Sequence, residues 1–264
     1  MNKIVYDIVY SITAHENFNI LNSLISNILK FNKNYYILIC LNLNTYMYEN
    51  RNFIKLTNVI INPKYFDKNK YSSDILKAHI DNFQYLMNQN ILFNNIMLIA
   101  SNCMFIKQVK LPEKNTYENK FCFTDIKNNN IENLTDWHWP NILENKIIIN
   151  ILLQNKIKIM NGQHEGRIYN FTLFYYIYKF IILNNIFNLI EKEAVFEEFL
   201  LQSLEYYYNN GKLVPTYCKI FWNNKDYIPS INDIKKCLTD SNIYAVKRVP
   251  LNYNNPIRQF INIL

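Results

Sequence analysis

The apolar positions along the chain switch repeatedly between a strand period and a helix period. The segment "IVYDIVYSI" (4–12) is β-rich and short, and ends in the polar stretch "TAHEN". Beyond it Phe18, Leu21, Leu24, Ile25 and Ile28 recur at the spacing of an amphipathic helix. "YYILICLNL" (35–43) is a continuous apolar run of the kind found in strands buried on both faces. "TNVII" (57–61) reads as a third strand, which "NP" is expected to break. "SSDILKAHIDNFQYLM" begins with a serine cap candidate and Asp74 in its first turn, then carries Ile75, Ala78, Phe83 and Leu86 at helical spacing. It leads into a further strand, "NNIMLIA". Strands interleaved with helices in this way predict a mostly parallel, doubly wound α/β sheet. Ligands of such sheets bind at the carboxyl ends of the strands, here "TAHEN", "NLN" and "SNCMF".

The second half has fewer breaks. "FTLFYYIYKFIILNNIF" is interrupted by Lys179, Asn184 and Asn185, so it reads as a buried helix and falls short of the roughly 18 uninterrupted apolar residues of a membrane span. "AVFEEFLLQSL" sets Glu197 and Glu198 at the start of an apolar run of helical type. Neighbours on a helix lie about 100° apart, so one carboxylate is expected to face the cleft and the other to face away. Two of the three glycines fall in "NGQHEGR", a tight loop that offers Gln163, His164, Glu165 and Arg167 as hydrogen-bonding groups or else is a plain solvated turn.

Composition narrows the function classes. At 264 residues, with 50% hydrophobic and 16% aromatic residues, the chain is expected to be one domain spanning 1–264. The net charge of +7, from 28 basic and 21 acidic residues, is spread out, which argues against a nucleic-acid partner and suits an anionic ligand such as a nucleoside diphosphate. Five separated cysteines without a CxxC pair and four scattered histidines indicate neither a disulfide framework nor a metal site. The first residues do not read as a signal peptide, and no transmembrane segment is expected, so a cytoplasmic location is the expectation. Both GxGxxG and GxxxxGKS are absent, which removes the glycine-rich phosphate loops.

The C-terminal half carries a recognisable order of segments: "AVFEEFLLQSL", then "YCKIFWNNKDYIPSINDIKKCLTDSNIYAVKRV", then a short tail. This order resembles the family 14 glycosyltransferases, which include the core-2/I-branching β-1,6-N-acetylglucosaminyltransferases and the peptide O-xylosyltransferases. The acidic pair occupies the family's Asp-Glu place, and Trp222, Pro229, Ser230, Asp233, Ser241, Tyr244, Lys247 and Arg248 stand at comparable later positions. "VYSITAHENFNILNSLISNI" looks like the family's first strand and helix, and "ILICLN" like its Ile-His-x-Asp strand with Asn42 in the Asp place. "NNIMLIASNCMFIK" looks like its Leu-Ser-Gly-x-Asp-x-Pro segment, with Ser101-Asn102-Cys103-Met104 replacing Ser-Gly-x-Asp. The Lys-Arg order is inverted relative to the family's Arg-Lys.

The resemblance implies a GT-A-like, Rossmann-like fold, with a nucleotide-sugar-binding half (1–110) and an acceptor and catalytic half (111–264), and an inverting transfer from a nucleoside-diphosphate-sugar, a UDP-sugar being expected, to a carbohydrate hydroxyl in surface-glycan synthesis. It implies Glu198 as the base and Lys247 with Arg248 as the cations holding the leaving diphosphate, without a metal or other cofactor. Chemistry asks for the same parts: a positioned carboxylate to deprotonate the acceptor, and fixed cations in the absence of any Asp-x-Asp. Arg258 in "NNPIRQF" is a candidate third cation, and His15, Asn42 and Ser101 are candidates on the donor side. Glu165, His164 and Trp139 are candidates for the acceptor, Trp139 through stacking on a sugar face or as a loop pin, and Glu165 is the next candidate base. A bacterial or viral enzyme acting in the cytoplasm fits this reading. The alternative is a catalytically inactive protein of the same fold that binds a carbohydrate or a nucleotide.

Overall fold

Along β1 (Val5–Ala14) both faces are covered: Ile8, Tyr10 and Ile12 pack on one side, and Val9, Ser11 and Thr13 lie on the other, all buried. The computed structural model describes residues 4–15, 17–51, 56, 58–66, 73–111, 145–160, 162–190, 195–221 and 228–264. After β1 come α1 (Phe18–Phe31), β2 (Ile37–Asn44), α2 (Thr45–Glu49), β3 (Val59–Phe66), α3 (Asp74–Asn88), β4 (Leu92–Ala100) and β5 (Cys103–Phe105). The second half holds α4 (Lys146–Gln154), β6 (Ile168–Asn170), α5 (Phe171–Leu183), α6 (Ile186–Leu189), a 3-10 turn (Phe196–Glu198) and α7 (Leu200–Tyr208). It closes with β7 (Cys218–Ile220), α8 (Ile231–Thr239), β8 (Ala245–Lys247) and α9 (Pro256–Ile263).

The main sheet has the order β3-β2-β1-β4-β6. Its first four strands are parallel, and β6 is added antiparallel to β4. The fold is therefore α/β with a mostly parallel, mixed sheet. Strand order reverses at β1, since β2 lies on one side of it and β4 on the other. The crevice between the carboxyl ends of β1 and β4 is thus the switch point at which such sheets take ligands.

A smaller sheet, β5-β8-β7, pairs β5 antiparallel and β7 parallel to β8. It draws β5 from the first half of the chain, while β6 from the second half completes the main sheet, so the halves interlock. Ile8, Tyr10 and Ile12 form one core with Leu21, Leu24 and Ile28 of α1. Val9 and Leu98 form another with α3, α4, α5 and α7. A third joins the small sheet to α8 and α9 through Met104, Val246, Ile234 and Ile257.

Phe83 is the aromatic centre of the second core, with the rings of Phe93, Phe171, Phe174 and Tyr178 between 5.0 and 5.9 Å away. A fully buried Phe in such a setting is worth about 3–5 kcal/mol against Ala, which fixes α3 and everything it carries on the sheet.

Several expectations need correction. Strand β3 runs through Asn62 and Pro63 instead of stopping there, because it is an edge strand, where a missing N–H is tolerated, and its register with β2 shifts between Leu41 and Leu43. In α3 it is Leu76, and not the half-buried Ile75, that enters the core. Helix α5 buries only Leu173, Phe174, Ile177 and Ile181, leaving Tyr175, Ile182 and Leu183 exposed, and the chain turns at Asn185 in a left-handed conformation. The acidic pair precedes its helix: both glutamates sit in the 3-10 turn, and α7 begins at Leu200. Among the described residues no helix is long and apolar enough to cross a membrane.

Candidate functional site

The loop "GQHEGR" (162–167) joins the two sheets at the carboxyl side of β4. Its Gly166 N–H donates to the Leu98 carbonyl of β4 at 2.9 Å, and the Gly166 carbonyl accepts from Tyr217 N–H at 3.1 Å. Gly166 has φ +81°, and a Cβ there would lie 2.4 Å from Cys218 Cβ and 2.6 Å from Cys218 N. Glycine is required on both counts, for the backbone conformation and for the close approach to β7. Gln163 secures the loop by donating to the carbonyls of Glu165 and Cys218 at 2.7 and 2.9 Å. Arg167 is buried and turns inward, donating to the Gln163 and Val214 carbonyls and pairing with the buried Glu205 of α7 at 3.3 Å.

This anchored loop presents His164 and Glu165, both almost fully buried. The Glu165 carboxylate accepts a hydrogen bond from the Lys247 ammonium at the end of β8. His164 Nε2 lies 3.5 Å from the same carboxylate oxygen. Burial alone would raise the Glu165 pKa, but the charges of His164 and Lys247 overcome it and bring the carboxyl down to about 2. Burial opposes the Lys247 charge in turn, and Glu165 outweighs it, holding the ammonium above its ordinary value. His164 is lowered to about 4, first by burial and then by the Lys247 and Arg167 charges against the pull of Glu165.

The 3-10 turn adds the acidic pair. Gly162 N–H donates to the Glu198 carbonyl at 2.8 Å, and Gln202 of α7 returns a bond to the Gly162 carbonyl at 2.9 Å. Glu197 is 1% exposed, and burial pushes its carboxyl well above the usual range, with the Glu198 and Glu165 charges adding to the effect and Lys247 opposing it. Glu198 is half-buried. The two neighbours face different surroundings, with Glu197 directed inward and Glu198 in partial contact with solvent.

Helix α3 supplies two residues that the sequence reading did not single out. His79 is wholly buried, with Nδ1 2.8 Å from Ser11 Oγ and its ring 5.9 Å from that of His164. Asn82, one turn later, donates to Ser11 Oγ at 3.0 Å and to the Cys40 carbonyl at 3.1 Å. Burial, reinforced by His164, lowers His79 to about 3. A signal for these residues exists in hindsight: Ser11 and Thr13 interrupt the apolar row of β1 that faces α3, and His79 and Asn82 are the polar residues on the facing side of the helix.

The remaining candidates fall at several places. Ser101 follows β4 directly, is fully buried, and its Oγ has no hydrogen-bond partner. Asn42 donates to the Ala78 carbonyl of α3 at 3.4 Å, leaving Oδ1 without a partner. His15 follows β1, is half-buried, and its carbonyl accepts from Asn44 at 3.5 Å. Arg248 is half-buried with φ +70° and donates to the Phe221 carbonyl at 3.4 Å. Arg258 is fully buried on α9, donating to the Pro250 carbonyl at 2.6 Å and to Ser23 of α1 at 3.2 Å, so its guanidinium is built into the α1–α9 contact. Trp139, with Trp137 and Trp222, lies outside the described residues. Ser230 and Asp233 form a capping box at the start of α8.

The structure thus brings together Glu165, His164 and Lys247 with Glu197, next to His79, and engages Arg258 elsewhere. Among the described residues no group of three His, Cys, Asp or Glu side chains is arranged to hold a metal ion. An open cavity of about 560 Å³ lies on the outer side of α1, lined by Asn22, Ser26, Lys30 and Tyr253 among others, and shares no residue with this cluster. Buried opposite charges and shifted carboxyls of this kind are the arrangement from which acid–base sites are built, although buried ion pairs of purely structural role shift pKa values too. No protein-family model matches the chain, and no curated protein sequence matches it either.

Proposed function

We propose that the chain is an inverting, metal-independent glycosyltransferase of GT-A-like fold, moving a sugar from a nucleoside-diphosphate donor, with UDP-sugars as the first donors to test, to a carbohydrate hydroxyl. The observation that carries the reading is the meeting of the acidic pair with the Glu165–Lys247 pair beside the carboxyl edge of β4. Glu198 is the half-buried member of the acidic pair, which suits a base that must reach an incoming hydroxyl. Glu165 is the weaker choice, since a carboxylate held at about 2 has little affinity for a proton at neutral pH. Lys247 and Arg248 are the cations for the diphosphate.

A second reading is a protein of the same fold that binds a carbohydrate or nucleotide without turnover. It is favoured by the commitment of Lys247 to Glu165, which leaves less of its charge for a leaving group.

Release of nucleoside diphosphate from a panel of nucleotide sugars, with and without glycan acceptors, separates the two. Under the first reading Glu198→Gln lowers transfer by about 10²- to 10⁴-fold while donor binding persists, and Glu197→Gln lowers it much less. Transfer within a few-fold of wild type by the Glu198 variant would remove Glu198 as the base.

A further inference from the structure

The polar groups around His79 have determinable directions. The Cys40 carbonyl can only accept, so the Asn82 side chain presents its NH₂ to it and, with the same nitrogen, to Ser11 Oγ. Asn82 Oδ1 accepts in turn from Asn62 at 3.0 Å. Of the two partners of Ser11 Oγ, Asn82 is a donor, so the only acceptor within reach of the Ser11 proton is His79 Nδ1, 2.8 Å away, and the pairing that satisfies both has Ser11 donating to it. The imidazole, neutral at pH 7, then carries its hydrogen on Nε2, which has no hydrogen-bond partner. His164 is fixed from the other side. Its Nε2 lies 3.5 Å from the Glu165 carboxylate, whose negative charge draws the proton to that nitrogen, and Nδ1 is left as an unpartnered acceptor.

Two neutral imidazoles, edge to face with centroids 5.9 Å apart, therefore offer one donor and one acceptor within the same buried neighbourhood. A group that accepts and donates through a single atom satisfies both, and that group is a hydroxyl. An anion is opposed by Glu165, and a cation is opposed by the N–H of His79. Ser11 itself does not meet the hydroxyl, because its oxygen and its proton are taken up by Asn82 and His79.

We propose that His79 and His164 form a hydroxyl-recognition site, with His79 set in its tautomer by the Asn62–Asn82–Ser11 chain, and that the hydroxyl it receives belongs to the sugar of the substrate. The assignment to a sugar rests on the transferase reading, whereas the hydroxyl chemistry does not. A buried water offers the same O–H group, and the experiment distinguishes the two sources. Ser11 and Asn82 are positioning residues, acting through His79.

The test is ¹⁵N NMR of the full chain labelled at histidine, alone and with UDP, UDP-glucose, UDP-galactose, UDP-N-acetylglucosamine, and the corresponding free sugars. In the free protein both histidines are expected to be neutral at pH 6.5 and to carry the proton on Nε2. A charged ring or an Nδ1–H tautomer at either position overturns the proposal. A UDP-sugar, unlike UDP, is expected to shift His79 Nε2 and His164 Nδ1, and Ser11→Ala is expected to narrow the affinity gap between that sugar conjugate and UDP by about three- to tenfold. The expected tautomers without response to any sugar assign the hydroxyl to buried water and overturn the substrate role. Response to a free sugar without binding of any UDP compound supports the site and refutes the nucleotide-sugar reading. The tautomer measurement needs no variant, so it stands even if Ser11→Ala does not fold.

Discussion

Replacing Lys247 by Met leaves the Glu165 carboxylate, with its side chain 3% exposed, without its countercharge. Breaking a buried pair from one side costs about 3–5 kcal/mol, because the remaining charge has lost its water without compensation. The Glu165 pKa gives an independent scale: a fall from 4.5 to about 2 corresponds to roughly 3 kcal/mol. Part of that fall comes from a charged His164, which is neutral at pH 7, so the lower end, about 3 kcal/mol, is the expected cost. Glu165→Gln should cost less, about 1–2 kcal/mol, since the Lys247 side chain is 20% exposed and water can solvate its ammonium. The double variant should cost about 2–3 kcal/mol less than the sum of the singles. Urea unfolding at pH 7 of the wild type, both singles and the double, with unchanged slopes, measures this coupling. The sign with pH is a further check. Without Lys247, the Glu165 pKa in the folded state rises above its unfolded value, so the stability tied to that proton is present at low pH and lost as pH rises. The deficit of Lys247→Met should therefore shrink between pH 7 and pH 5. Additivity of the two substitutions within about 0.5 kcal/mol would show that the pair is solvated and would refute the argument.

Gly166→Ala should destabilise by about 2–4 kcal/mol, because the new methyl meets the Cys218 backbone and the φ of +81° is strained for any side chain; thermal unfolding is the measurement. The buried cluster should also make stability fall on mild acidification. His79 and His164, held at about 3 and 4, gain protons only on unfolding below pH 6.5, while the Glu197 carboxyl, raised by burial, acts in the opposite direction. Two imidazoles outweigh one carboxyl, so stability should fall by at least roughly 1 kcal/mol per pH unit between pH 6 and 5, which denaturant titrations check and His79→Gln should flatten. Arg248→Gly should gain up to about 1 kcal/mol by relieving the left-handed backbone at φ +70°, and should weaken UDP binding measured by calorimetry.

Local chemistry explains which parts were readable in advance. A short apolar run such as 35–43 suits a strand buried on both faces, and the Phe18–Ile28 spacing suits an amphipathic helix, since burial follows the period of the backbone; β2 and α1 follow these patterns. Absence of glycine-rich loops and of Asp-x-Asp is likewise a property of the chain alone. The loop at 162–167 was marked by its two glycines, and Gly166 has the positive φ and close contact that such a residue permits.

Partnership across long sequence separations lay beyond such patterns. Ser11 meets His79 and Glu165 meets Lys247 because strand order and crossovers, which periodicity does not encode, stack β1 under α3 and set β8 beside the loop after α4. The same holds for Pro63, harmless only because β3 is an edge, and for Arg258, a plausible phosphate ligand by type that is taken up by Pro250 and Ser23. Glu197 and Glu198 are chemically identical in the sequence. Their difference arises in the turn before α7, where burial takes one carboxyl out of water and leaves the other partly in it. Charge state depends on solvation and on neighbours brought together through space, and those exist only once the chain is folded.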